Sequence, residues 1–188
     1  MKNFLKKLRI VAPASALAAL VAAGCVLVSG QFIVTFEFAE VGLDPLPVVS
    51  PTALAGVQVN LNEISEYNDH KDKLKDVVDL ALLGKIHNQT GNALGVEVWM
   101  VANPTATYTT ETDVKANGQR IWGPLNVGPN ATTQVNWNQS ATLFSGRQAL
   151  VQQIKGDGRF DLYAIGSSGA YAFQVEKGAL VAVISAAN

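Results

Sequence analysis

Along most of the chain, apolar and polar residues alternate with a period of two, the spacing of strands whose successive side chains point to opposite faces. From Gln31 to Phe38, the residues Phe32, Val34, Phe36 and Phe38 fall on one face and Thr35 and Glu37 on the other. Val57, Val59 and Leu61 repeat the pattern. Leu94, Val96, Val98 and Met100 do so opposite Glu97 and Trp99. Further strands are predicted at Val77 to His87, Thr132 to Trp137, Arg159 to Ile165, Ala170 to Val175 and the apolar run Ala179 to Ile184. The threonine-rich stretch Thr105 to Thr112 is also expected to be extended, because β-branched residues fit a pleated surface. Pro45, Pro47 and Pro51, the polar run Asn88 to Asn92, Asn103-Pro104 and Gly128-Pro129-Asn130 mark loops, and Asn117-Gly118 reads as a tight hairpin turn.

Two stretches break the alternation. Ser65 to Asp76 is the most charged part of the chain, and Ser65 or Asn68 is placed to cap a short helix near 66–75. Ser145 with Gln148 three residues later forms a capping-box spacing. Leu150, Val151 and Ile154 then supply the apolar stripe of a helix near 146–155, which Gly156-Asp157-Gly158 stops. Closely spaced turn signals between short strands predict one all-β domain over 31–188, an antiparallel sandwich with two inserted helices.

The first residues follow a different logic. Lys2, Lys6, Lys7 and Arg9 form a basic head, an apolar stretch runs from Ile10 to Ala23, and no acidic residue precedes Glu37. That order is what an export signal needs, since the basic head is held on the cytoplasmic side while the apolar segment enters the bilayer. The stretch ends in Val21-Ala22-Ala23-Gly24-Cys25, which resembles the lipobox of bacterial lipoproteins, with Ala22 standing where leucine is usual. The resemblance implies cleavage of a signal peptide at 1–24, a lipid on Cys25 and a short tether over 25–30. Three alternatives stand beside it: an uncleaved helical anchor from Ile10 through Val28, cleavage after Gly30 to release a soluble protein, and an ordinary buried cysteine. Cys25 is the only cysteine, so it has no internal disulfide partner. Val26 and Leu27 follow it in place of the aspartate that retains many lipoproteins at the inner membrane, which by resemblance favours the outer membrane.

Charge narrows the partners. Four of the 14 basic residues and none of the 15 acidic ones precede Cys25, leaving 10 basic against 15 acidic, net −5. That balance argues against nucleic acid and against a polybasic grip on anionic lipid. The expected partners are the membrane, through the lipid anchor, and an envelope protein or glycan.

Gly84-Lys85-Ile86-His87-Asn88-Gln89-Thr90-Gly91 with the strand from Leu94, and Pro124 to Thr132, resemble the strand-turn-strand core of bacterial immunoglobulin-like modules, nearer to the LEA14-like and CARDB-like sandwiches than to antibodies. The resemblance implies an immunoglobulin-like β-sandwich and, by analogy, a structural or adhesive role.

Candidate chemistry is sparse. The only histidines are His70, among Asp69, Lys71 and Asp72, and His87 at a strand end; neither sits in a catalytic motif. Asp69, Asp72, Asp76 and Asp79 carry hard oxygen ligands suited to Ca²⁺, but Lys71, Lys73 and Lys75 interleave and the glycine of an EF-hand loop is missing. Gly166-Ser167-Ser168-Gly169 reads as a hairpin loop and not a phosphate cradle. No catalytic residue, metal ligand or cofactor is assigned. Trp99, Trp122 and Trp137 are the candidate ligand or partner contacts, against the plainer expectation that each indole covers one end of the core. These features together predict a membrane-anchored, non-enzymatic envelope module for structure or interaction. The alternatives are a carbohydrate- or small apolar ligand-binding module and a hydrolase built on His87.

Overall fold

The computed structural model describes residues 30–50, 54, 56–102, 107–167 and 169–187; the leader, Cys25 and the tether before Gly30 lie outside the described residues. The described residues form nine strands: β1 (Gln31–Glu37), β2 (Leu46–Val49), β3 (Gly56–Asn60), β4 (Leu74–Asn88), β5 (Leu94–Ala102), β6 (Gln119–Val127), β7 (Thr132–Val135), β8 (Arg159–Gly166) and β9 (Ala172–Ala186). Four short helices join them: α1 (Ser65–Asn68), α2 (Glu111–Asn117), α3 (Trp137–Leu143) and α4 (Arg147–Lys155). Two antiparallel sheets pack as a sandwich, one in the order β1-β9-β4-β7 with β2 also on β9, the other β3-β8-β5-β6.

The pairing is nested. β2 pairs with β9, β3 with β8, β4 with β7 and β5 with β6, all antiparallel. A long double ribbon closed at β5–β6 has therefore been wound so that its successive pairs alternate between sheets, β2/β9 beside β4/β7 in one and β3/β8 beside β5/β6 in the other, which is the jelly-roll arrangement. This corrects the immunoglobulin-like expectation. In that fold the first strand neighbours the second, whereas here β1 and β2 lie against the last strand. The fragments behind the resemblance share a local feature only: the turns after Asn88 and Val127 each carry the chain from one sheet to the other.

The alternation predicted for β1 and for most of β5 is realised, with Phe32, Val34 and Phe36 buried in the core between the sheets beside Leu46, Val57, Leu80, Val96, Leu162 and Phe173. β4 and β9, each 15 residues long, form the centre of their sheet. Strands of that length have to bend, and β4 does so at register shifts after Leu74, Val77 and Leu83. At two of these irregularities an aspartate serves the backbone: Asp76 Oδ1 accepts from Val77 N–H at 2.9 Å and Asp79 Oδ1 from Leu80 N–H at 2.8 Å. At the third, Gly84 has φ +148°, and an added Cβ would lie 3.1 Å from Glu176 O.

β7 covers β4 only from Gly84 to His87, leaving the edge from Leu74 to Leu83 open. The helices close it with side chains. Ser140 Oγ on α3 accepts Leu82 N–H at 2.8 Å, Arg147 Nη2 on α4 donates to Val77 O and Val78 O at 3.1 and 2.8 Å, and Lys155 Nζ donates to Lys75 O at 2.6 Å. Unpaired strand polar groups thereby acquire partners and the edge is blocked against another chain.

Several local expectations are corrected. The charged segment forms α1 and then a 3₁₀ turn at Lys71–Lys73, and Leu74 already belongs to β4. α4 starts at Arg147 with Gly146 at its N-cap, so no side chain caps it, and Ser145 and Gly146 N–H bond instead to Ile121 O of edge strand β6 at 2.9 and 3.1 Å. Glu111 onward is helical: Thr110 Oγ1 accepts Asp113 N–H at 3.1 Å and starts α2. Asn136 Oδ1 likewise accepts Gln139 N–H at 3.0 Å, so Trp137 opens α3 and does not end a strand. Gly118 is no hairpin turn; it ends α2 where a Cβ would come within 2.9 Å of both Val114 O and Met100 O.

Candidate binding cleft beside Asp161

In the second sheet, β8 is buried on both faces from Phe160 to Gly166. Val57, Val59, Leu162 and Ala164 face the other sheet, so Gly56, Gln58, Asp161, Tyr163 and Trp99 lie on the outer face. There the connection containing α2 folds across β8, with Val114 fully buried and the Tyr108 ring edge-on to Tyr163 at 6.4 Å and 68°. Glu111 fastens this cover. Its Oε1 accepts from Tyr171 Oη at 2.6 Å and Ser50 Oγ at 3.0 Å, and its Oε2 pairs with Lys115 Nζ at 3.1 Å. Burial raises the Glu111 carboxyl, but the hydrogen bonds from Tyr171, Lys115 and Ser50 and the charge of Lys115 outweigh it and hold it below the ordinary value.

Between this cover, the β3 edge and the turn after β1 lies a cleft of about 440 Å³ lined by Val41, Leu43, Gln58, Asp161, Tyr163 and neighbours. Asp161 is its unusual member, a carboxyl only 2% exposed. Tyr163 Oη accepts Tyr108 N–H at 3.2 Å and donates to Asp161 Oδ2 at 3.2 Å, which fixes the hydroxyl and leaves Oδ1 with no hydrogen-bond partner among the described residues. Burial pushes the Asp161 carboxyl up, offset in part by the Tyr163 hydrogen bond. Tyr163 holds its place because Gly56 stands opposite it; a Cβ there would sit 2.5 Å from the ring.

The residues singled out in the sequence are not brought together. Trp122 is 1% exposed, faces the space between the sheets, and donates to Ser140. Trp99 is half-buried and donates to Glu97 Oε2 at 3.1 Å, whose other oxygen pairs with Arg120 at 2.8 Å. Trp137, also half-buried, donates to Asp79 Oδ2 at 2.8 Å, near the helix-covered edge of β4. His70 Nδ1 lies 2.9 Å from Glu66 O and its ring stacks near Phe32, while His87 Nδ1 lies 2.9 Å from Thr132 Oγ1. Asp76 and Asp79 serve the β4 bulges, and no group of three or more metal-capable side chains occurs among the described residues. Cys25 lies outside the described residues. Sequence reasoning missed Asp161 and Tyr163; the available signal was a single aspartate inside the apolar run Phe160 to Ile165.

The space between the sheets amounts to a cavity of about 50 Å³ lined by Phe38, Leu82, Val98, Trp122 and Leu162 among others. It is far below the several hundred Å³ a small-molecule ligand needs. No helix among the described residues is long and apolar enough to cross a membrane.

No protein-family model matches this chain, and no curated protein matches it. Among solved structures, a chain of infectious bursal virus-derived T=1 particles aligns with 13% identity over 93% of this chain, which spans 36% of that chain, at a TM-score of 0.28. At that value the likeness says nothing about fold or function.

Proposed function

We propose that the protein is a lipid-anchored, non-enzymatic module of the bacterial cell envelope, displayed at the membrane surface, with the outer membrane as its favoured site, for structure or interaction. The observation that carries this reading is the order of the N-terminal sequence: a basic head, an apolar stretch and a small-residue approach to the lone Cys25. Five residues separate Cys25 from Gln31, where β1 begins, so a lipid there would hold the sandwich within roughly 20 Å of the bilayer. Two or more acyl chains give durable attachment where one does not. Metabolic labelling with a clickable fatty acid tests it. The wild type should carry label and Cys25→Ala should carry none; an unlabelled wild type rejects the proposal.

A ligand-binding reading is favoured by one observation, a cleft lined by a buried carboxyl whose Oδ1 has no hydrogen-bond partner among the described residues. Under it the ligand sits on the outer face of the second sheet, not between the sheets, where the 50 Å³ cavity suits no apolar ligand of ordinary size.

A further inference from the structure

Resting on that ligand-binding reading, we propose that the Asp161 cleft takes a small amphiphilic organic cation, a protonated amine whose ammonium pairs with Asp161 while its hydrocarbon part lies on Val41 and Leu43. Volume permits it: about 440 Å³ falls in the range of small-molecule sites. Charge selects it. The lining holds two carboxyls, Asp161 and Glu63, and no lysine, arginine or histidine. Arg159, two residues along β8, is exposed and makes no ion pair with Asp161.

A buried carboxylate without a counter-charge is costly, and an ammonium arriving in the cleft relieves that cost. A neutral sugar would satisfy lone pairs but leave the charge uncompensated, and an anion would be repelled. A divalent metal is disfavoured because no group of three or more metal-capable side chains gathers among the described residues, at this cleft or elsewhere.

The remaining chemistry fits a two-ended ligand. With Oδ2 occupied by Tyr163, Oδ1 is the acceptor left for an N–H donor, and Gln58, in register opposite Asp161 on β3, has an amide with no hydrogen bond among the described residues. Asn60 is already committed to Glu63 and Asn62. At the apolar end Val41 is 43% exposed, one of three large hydrophobic residues so exposed among those described. The titratable and charged groups around Asp161 are Tyr163, Tyr108, Glu63 in the cleft lining and the exposed Arg159 on the same face of β8. Because burial raises the Asp161 carboxyl, an ammonium bound there would displace a proton at acid pH, and affinity would fall as pH is lowered through its pKa.

The test is calorimetry on the full chain in detergent, with empty micelles as blank, using n-butylammonium, n-butanol, butyrate and a chito-oligosaccharide as probes. The ammonium should bind at least tenfold more tightly than the alcohol or the carboxylate. Asp161→Asn, and Gln58→Lys at an exposed edge position that leaves the core untouched, should each weaken it at least tenfold while retaining the wild-type circular dichroism spectrum. Equal binding of alcohol and ammonium, or undiminished binding in both variants, overturns the assignment. Binding of the saccharide alone overturns the cation but leaves the ligand-binding reading standing; binding of no probe defeats both.

Discussion

The indole nitrogen of Trp122 donates to both the carbonyl and the hydroxyl of Ser140, at 3.2 and 3.1 Å, in a part of the molecule with almost no solvent access. The same hydroxyl accepts Leu82 N–H, so one small side chain ties α3 to strands from both sheets. Ser140→Ala should lose about 1–3 kcal/mol, the cost of leaving buried donors short of a partner. Trp122→Phe removes one of those donors, so urea denaturation of the double variant should show less than the sum of the two single losses.

The outer cover should loosen in acid. Glu111 has a folded pKa below its ordinary value of 4.5, so its bonds to Tyr171, Ser50 and Lys115 contribute fully above that pH. Their contribution is lost as pH falls through the folded pKa. Thermal melts from pH 7 to 3 should show a decline that is visibly flatter in Glu111→Gln, which starts from a lower stability at pH 7.

Asp161 behaves with the opposite sign. Its folded pKa lies above the ordinary 3.8, so the folded state holds its proton more tightly than the unfolded chain, and stability falls as pH rises between those two values. Asp161→Asn should therefore raise the melting temperature at pH 7 and lose that advantage toward pH 3. A residue that stabilises the fold when neutralised is one the protein retains against stability, as functional sites often do.

Gly56→Ala should destabilise by about 1–3 kcal/mol, because the new methyl meets the buried Tyr163 ring at 2.5 Å and moving the ring disturbs the hydroxyl's hydrogen bonds with Tyr108 N–H and Asp161. Pairing it with Tyr163→Leu should recover part of the loss in the same denaturation assay.

Much of the sandwich was legible as alternation. Phe32 to Phe36 and Val96 to Met100 declare a buried face because one side of each strand meets the core. Pairing order was not legible: that β1 and β2 lie on the last strand depends on how the ribbon winds, which no local pattern states. α2 and α3 were missed although Thr110 and Asn136 are ordinary N-caps, since neighbouring threonines and the run to Val135 favoured extended structure. Asp161 is inconspicuous in the sequence for a related reason. On a strand with one wet face an aspartate needs no comment, and the segment that dries that face, around Tyr108 and Val114, lies about fifty residues earlier.

Where the polypeptide starts after export is the most direct question for the proposed role. Intact-mass spectrometry of protein extracted from membranes, with sequencing of the N-terminal peptide, should find a chain beginning at Cys25 and heavier than its amino acids by a diacylglyceryl group and a fatty acyl chain. A chain that begins elsewhere, or that begins at Cys25 with a free thiol and no added mass, would contradict the account.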